Sequence, residues 1–149
     1  MDEKNRNQVL VSAEENAAIS RAVLAWLNSY EEKPWKKIDF EYLGKSSGCC
    51  VSVVQAAYKT RQYITGGYEA QYQFQIVSRL IADNVDLRLT ADEDLNTLGA
   101  WAEHAEGLEL PAGCIIRKVK RDTASALMAR YDNNAEDHSI SMTLTYEVI

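Results

Sequence analysis

Residues 66–81 read GGYEAQYQFQIVSRLI. Past the Gly66-Gly67 break, Tyr68, Ala70, Tyr72, Phe74 and Ile76 fall in one phase, and Glu69, Gln71, Gln73 and Gln75 in the other. Strict alternation of this kind predicts a long β-strand with one face buried. The opposite face carries three glutamines and a single charge, an unusual choice for a surface that meets only water. Beyond Ile76 apolar residues occupy both phases (Val77, Leu80, Ile81), which predicts cover on both sides at that end.

The end of the chain repeats the theme. Ile140, Met142, Leu144, Tyr146 and Val148 share one face of a strand predicted over Ser139–Val148, while Ser139, Ser141, Thr143 and Thr145 share the other. If the two strands are neighbours, the glutamines and the Ser/Thr row form one uncharged surface. Such a surface is either a wetted face of an antiparallel sheet or a contact between subunits, since charges are depleted at interface cores.

Working outward, Ser12 and Glu15 have the spacing of a capping box, and Ile19, Val23, Trp26, Leu27 and Tyr30 recur at helical intervals. They predict a helix over 13–31, stopped by Pro34. Lys37–Leu43 alternates as a strand, Gly44–Gly48 is a turn, and Cys49–Gln55 reads as a strand covered on both faces. Tyr58–Ile64 is more polar and reads either as a loop or as an arm that becomes a strand. Thr90 with Glu93 predicts the start of a second helix whose buried stripe is Leu95, Leu98, Ala102 and Ala105, ended by Gly107. Strands are predicted over Cys114–Lys120 and Ala124–Tyr131, the latter joined to the last strand by a loose turn at Asp132–Asn134. The sum is an α+β domain, an antiparallel or mixed β-sheet with two helices packed on one face. It spans residues 1–149, with 1–11 expected to be a flexible N-terminus.

Composition bounds the function. A chain of 149 residues fits one domain. Its net charge of −6 and pI of about 4.9 lack the footprint of a protein that grips nucleic acid through phosphates. They do not forbid a protein that surrounds DNA without gripping it, since repulsion from its walls would help DNA slide. Three cysteines, two of them adjacent (Cys49, Cys50), make a poor disulfide framework and point to reduced thiols packed in a core. Neither a membrane span nor a signal peptide is expected.

Signals for catalysis are weak. His104 and His138 have no partner at metal-ligand spacing and read as surface histidines. The glycine turns at 46–48 and 65–67 match no phosphate loop. Charge is segregated: eight acids between Asp83 and Glu109 stand with Arg88 as the one base, followed by Arg117, Lys118, Lys120 and Arg121. Such clusters pair within a chain, or head to tail between copies, which closes a ring when the rotation permits.

The runs ISRAVLAWLNSY (19–30), KKIDFEYL (36–43), YITGGYEAQYQFQIVSRL (63–80) and ISMTLTYEV (140–148) together resemble the minor capsid or tail terminator proteins of long-tailed phages and prophages of Gram-positive bacteria. The resemblance covers nearly the whole chain in element order, and its sharpest piece is a structural strand. It implies a structural protein, a hexameric ring on the last ring of the tail tube, which stops tube growth and joins the tail to the head. Its implied partners are further copies of itself, the tail-tube protein and the head-tail connector proteins, with DNA passing through unread and no membrane. It places the protein in the virion tail, and in the bacterial host cytoplasm during assembly. It carries over no catalytic residue, cofactor or metal. On this reading Gln71, Gln73, Gln75, Ser141, Thr143 and Thr145 line a subunit contact or lumen, and Lys59, Arg61, Gln62 and Tyr63 form an arm reaching a neighbour. Another neck or head-completion protein is the nearest alternative, and a small-molecule-binding α+β domain a more distant one.

Overall fold

A computed structural model of the chain describes residues 9–149. In chain order the elements are β1 (Val9–Leu10), α1 (Ala13–Asn28), β2 (Asp39–Phe40), β3 (Gly48–Gln62), β4 (Tyr68–Ile81), α2 (Val85–Ala102), β5 (Cys114–Arg121), β6 (Ala126–Arg130) and β7 (Ala135–Val148). They form one seven-stranded sheet in the order β1-β3-β4-β7-β5, with β2 beside β3 and β6 beside β7. Every pairing is antiparallel except β2 with β3. The fold is α+β. Residues 1–8 of the expected flexible N-terminus lie outside the described residues. Val9 and Leu10 instead pair with Lys59 and Tyr58, and Val11 is buried.

The alternation in β4 and β7 is realised as read. Ala70, Tyr72, Phe74 and Ile76 of β4, and Ile140, Met142, Leu144 and Tyr146 of β7, are fully buried. They share one core with Ile19, Val23 and Leu27 of α1 and Leu95, Leu98 and Ala102 of α2. Both helices therefore cover the same face of the sheet. Burial of each large side chain contributes about 1.5–3 kcal/mol. The helices meet where Trp101 stacks on Trp26 (ring centroids 5.3 Å apart) and packs against Tyr30 (4.8 Å). The Trp26 indole donates to the Glu106 carbonyl at 2.9 Å, tying α1 to the loop after α2.

Several boundaries differ from the sequence reading, each for a local reason. Ser12 does cap α1, its hydroxyl accepting from the Glu15 N–H at 3.1 Å. The Glu15 carboxylate, however, accepts from the hydroxyls of Tyr68 and Tyr146 (2.7 Å for Tyr146), two residues rising from the sheet beneath the helix. Helix α1 ends at Asn28, well before Pro34. The Asn28 side chain accepts from the Ile38 N–H at 2.8 Å and donates to the Ile38 carbonyl at 2.9 Å, replacing the next helical turn with a link to the returning chain. The strand expected over 37–43 shrinks to two residues because Glu41 adopts φ 56°, a left-handed conformation that ends the pairing. Its carboxylate then accepts from the Val53 N–H at 2.7 Å.

Helix α2 starts at Val85, capped by Asn84, whose side chain accepts from the Leu87 N–H at 2.9 Å. Thr90 lies inside the helix, so the expected box at Thr90 is not a start. The helix stops at Ala102, and Gly107 takes its left-handed conformation (φ 82°) a turn later. The segment 58–62, left open between loop and arm, continues β3. Between it and β4 lies a tight turn in which the Tyr63 N–H donates to the Gly67 carbonyl at 2.8 Å. Gly67 is required there, since a Cβ would lie 2.4 Å from the Val148 carbonyl oxygen. The turn at 132–134 is also tighter than expected, because β7 already begins at Ala135.

The tie from Glu15 to two tyrosines yields a stability test. Glu15→Ala strips the acceptor from the hydroxyl of the fully buried Tyr146 and is expected to cost about 1–3 kcal/mol in urea unfolding. Tyr68→Phe, which removes a donor from a half-buried residue, should cost less. Equal midpoints for wild type and Glu15→Ala would contradict this.

Candidate functional site: the sheet face without helices

The face of β4 and β7 turned away from the helices carries the expected polar strip. Gln71 lies opposite Thr145, Gln73 opposite Thr143, and Gln75 opposite Ser141. All six residues singled out from the sequence are thus direct cross-strand neighbours on one surface. Thr145 is buried and the other five are half-buried. The rows extend sideways into β3, where Tyr58 faces Gln71 and Ser52 faces Gln75. On the other side they reach β5, where Lys118 faces Thr145 and Lys120 faces Thr143.

Part of this surface is held in place by its own hydrogen bonds. The Tyr58 hydroxyl donates to Gln71 Oε1 at 3.1 Å and accepts from Gln73 Nε2 at 3.3 Å. Thr143 Oγ1 donates to Asp122 Oδ2 at 2.6 Å. Between β4, β7 and β5 the twisted sheet leaves an open hollow of about 580 Å³, floored by Gln71, Gln73, Thr143 and Thr145 and walled by Lys118 and Lys120. It is wide, polar and open to solvent.

The basic cluster has two fates. Arg121 pairs with Glu103 at 3.1 Å, the one ion pair joining the cluster to the acidic segment among the described residues, and Arg117 pairs with Glu147 at 2.5 Å. Lys118 and Lys120 are exposed and have no acidic partner among the described residues. They sit on β5, an edge strand with a register shift at Arg117. Lysines and a bulge at an edge discourage uncontrolled strand addition.

The expected arm is not free. Lys59 lies over the Tyr68 ring with its ammonium 4.4 Å from the centroid, and Gln62 closes the turn by donating to the Gly67 carbonyl at 3.0 Å. Tyr63 donates to Glu147 at 3.0 Å, while Arg61 is exposed on the outer end of β3. The hairpin tip at Ile64 projects, fully exposed. These four residues therefore form the ordered end of a hairpin.

A second polar centre escaped the sequence reading. His138, expected on the surface, is buried within β7 beside Glu136 and Asp137, which are buried too. On the helix side His138 Nδ1 lies 2.8 Å from Asp92 and Nε2 lies 3.2 Å from Glu136. Glu136 also accepts from Arg88 at 2.9 Å and Arg130 at 3.1 Å. On the opposite face Arg79 holds Asp137 through two parallel bonds of 2.7 and 2.8 Å, and Tyr131 donates to the same carboxylate at 2.7 Å. Burial pushes both carboxyls up, but the bonds from arginines, His138 and Tyr131 outweigh it and hold Glu136 and Asp137 below their ordinary range. Ser125 donates to Asp92 at 2.7 Å, so the serine contacts the acid and not the imidazole, the wrong order for activating a nucleophile. The centre works as an ionic lock at one end of the sheet. Extending the β4–β7 alternation back by four residues would have found it, because Arg79 and Asp137 are cross-strand partners.

The cysteines behave as packing groups. Cys49 joins the core and Cys50 is buried on the other face, and burial raises both thiols, Cys50 to about 11. A second hollow, of about 560 Å³ and mainly apolar, lies between α1 and β2–β3, lined in part by Leu24, Phe40 and Val53. Three of its polar groups are engaged within the fold: Asn16 accepts from the Ala57 N–H, Ser20 bonds to Tyr72, and Glu41 accepts from Val53, while Arg21 lines its exposed rim. Among the described residues no cluster of histidine, cysteine or carboxylate side chains is disposed to hold a metal, and no helix is long and apolar enough to cross a membrane. No protein-family model matches the sequence, and no curated protein matches it significantly.

The lock makes stability depend on acid. Because both folded pKa values lie below their unfolded ones (about 3.9 for Asp and 4.3 for Glu), its contribution is complete above that range. It is lost as pH falls through the lower folded values. Urea unfolding followed downward from neutral pH should show this loss, and Asp137→Asn should flatten it. At neutral pH, Arg79→Ala strands a buried carboxylate and is expected to cost about 3–5 kcal/mol. A wild-type-like urea midpoint would contradict the role given to Arg79.

Proposed function

We propose that this chain is a structural subunit of a long-tailed phage or prophage virion, a tail terminator whose ring ends tail-tube growth and offers the surface for head-tail joining. The observation that carries the reading is the alignment of Gln71 with Thr145, Gln73 with Thr143 and Gln75 with Ser141 on a sheet face that no helix covers. The six-residue strip is polar enough to stay soluble in a free subunit and itself carries no charge whose desolvation opposes association, the lysines of β5 standing at its edge. Amides and hydroxyls exchange water for protein partners at small net cost.

On this reading the protein acts by contact, with no reacting group of its own. Its partners are further copies, the tail-tube protein and the head-tail connector, and it works in the virion tail after assembling in the host cytoplasm. The net negative charge lets DNA pass a ring without being gripped. The sequence resemblance supports the terminator role over other neck and head-completion proteins, which would present the same surface to a different neighbour.

Gln73 is the test position. Gln73→Glu places a carboxylate in the row that already holds Lys120, on a face otherwise free of charge along its floor. It is expected to weaken assembly on tail-tube subunits at least tenfold, or about 1.4 kcal/mol, as read by sedimentation velocity. Assembly unchanged by the substitution, or failure of the wild-type protein to bind any virion component, would contradict the proposal.

A further inference from the structure

The two layers of the molecule differ in charge. The helical segments and their connections, residues 11–38 and 82–113, carry twelve acidic and five basic side chains, whereas the rest of the chain carries ten and eleven. The whole net negative charge therefore belongs to the helix layer. On the opposite side, the hollow of the uncovered sheet face is lined by Glu69, Arg117, Lys118, Lys120 and Asp122 around the Gln and Thr floor. Glu69 and Asp122 accept from Thr60 and Thr143 and Arg117 pairs with Glu147, whereas Lys118 and Lys120 have no acidic partner among the described residues.

The outward side of α2 is built to match. Asp86, Leu89, Thr90, Glu93 and Thr97 are all exposed and recur at helical spacing, giving a stripe whose charges are both acidic. Asp86 and Glu93 are about 10 Å apart along the axis, and Lys118 and Lys120 about 7 Å apart along β5. Four-carbon lysine stems easily absorb the difference. Leu89 supplies an apolar contact among them, exposed over 55% of its surface. The sheet already packs helices on its other face, and a helix on the bare one completes a three-layer arrangement.

We propose that the uncovered sheet face receives the outer side of α2 from a second copy of this chain, with Lys118 and Lys120 of one copy against Asp86 and Glu93 of the next. The inference deepens the reading above and rests on its assignment of the uncharged face as a contact. The two surfaces are different, so the contact is heterologous: each copy uses its sheet face toward one neighbour and its helix toward the other. Such contacts close into a ring or run on as a filament.

The test uses two full-length variants and their mixture. K118E/K120E carries acids on both surfaces, and D86K/E93K carries bases on both. Each is expected to associate at least tenfold more weakly than wild type in sedimentation at low salt, with the native circular dichroism spectrum retained and only a small fall in melting temperature for D86K/E93K, which loses an acid from the first turn of α2. An equimolar mixture should assemble again, because the sheet face of each variant then complements the helix of the other, and added salt should weaken both wild type and mixture. Self-association of either variant at wild-type strength overturns the proposal, as does a mixture of folded variants that stays monomeric. A wild-type chain that remains monomeric at low salt, alone and with tail-tube subunits, overturns it too. Loss of duplex-DNA binding in K118E/K120E with self-association intact would assign the hollow to nucleic acid instead. Charge-dependent rings that ignore the tail tube would sink the terminator reading alone, while tube binding that ignores these charges would sink this contact alone.

Discussion

Fourteen consecutive residue pairs join β4 to β7 without a slip, from Tyr68 opposite Val148 to Ile81 opposite Ala135. Everything else in the molecule depends on that register. It puts Tyr72, Phe74 and Ile76 beside Leu144, Met142 and Ile140 under the helices, and in the same stroke puts Gln71, Gln73 and Gln75 beside Thr145, Thr143 and Ser141 on the other side. A shift of one residue in either strand would send the core residues to solvent and the amides to the core. The outer strands are freer: β3 and β5 both meet this central pair with register shifts.

The register is pinned at both ends by groups that cannot move independently. At one end Arg79 and Asp137, paired across the strands, form a two-bond ion pair closed by Tyr131, and Glu136 gathers Arg88, Arg130 and His138 on the helix side next to it. At the other, Glu15 at the start of α1 receives hydroxyls from Tyr68 on β4 and Tyr146 on β7, so the first helix is seated on both strands at once. Buried ionic groups of this kind add less to net stability than their distances suggest, but breaking them is costly. Their contribution here is to select one alignment of two strands whose alternation would otherwise tolerate a slip of two.

How much of this was legible depended on whether a signal was local. The alternation of β4 and β7 and the apolar stripes of both helices were readable, because period-2 and period-3.6 patterns report burial directly. Boundaries set by side chains reaching across the fold were not. Asn28 ends α1 by bonding to Ile38, and Glu15 leaves its capping box for two distant tyrosines. The strip on the sheet face was legible residue by residue, and only the pairing of β4 with β7 joined its halves. His138 was misplaced because Glu136-Asp137-His138 looks like a loop to any reading that equates charge with exposure. The partners of this run (Asp92 for His138, Arg79 for Asp137, Arg88 for Glu136) come from elements that sequence spacing does not connect.

The most direct measurement is thiol labelling of Gln73→Cys in the free subunit and in the assembly proposed above. The native Cys49 and Cys50 are buried and Cys114 is half-buried, all with raised thiol pKa values, so the new thiol dominates the signal. If the helix-free face is where this protein meets other polypeptides, position 73 reacts readily in the free subunit and becomes protected on assembly. Equal reactivity in both states would mean that this face still meets solvent after assembly, and the central claim would fall.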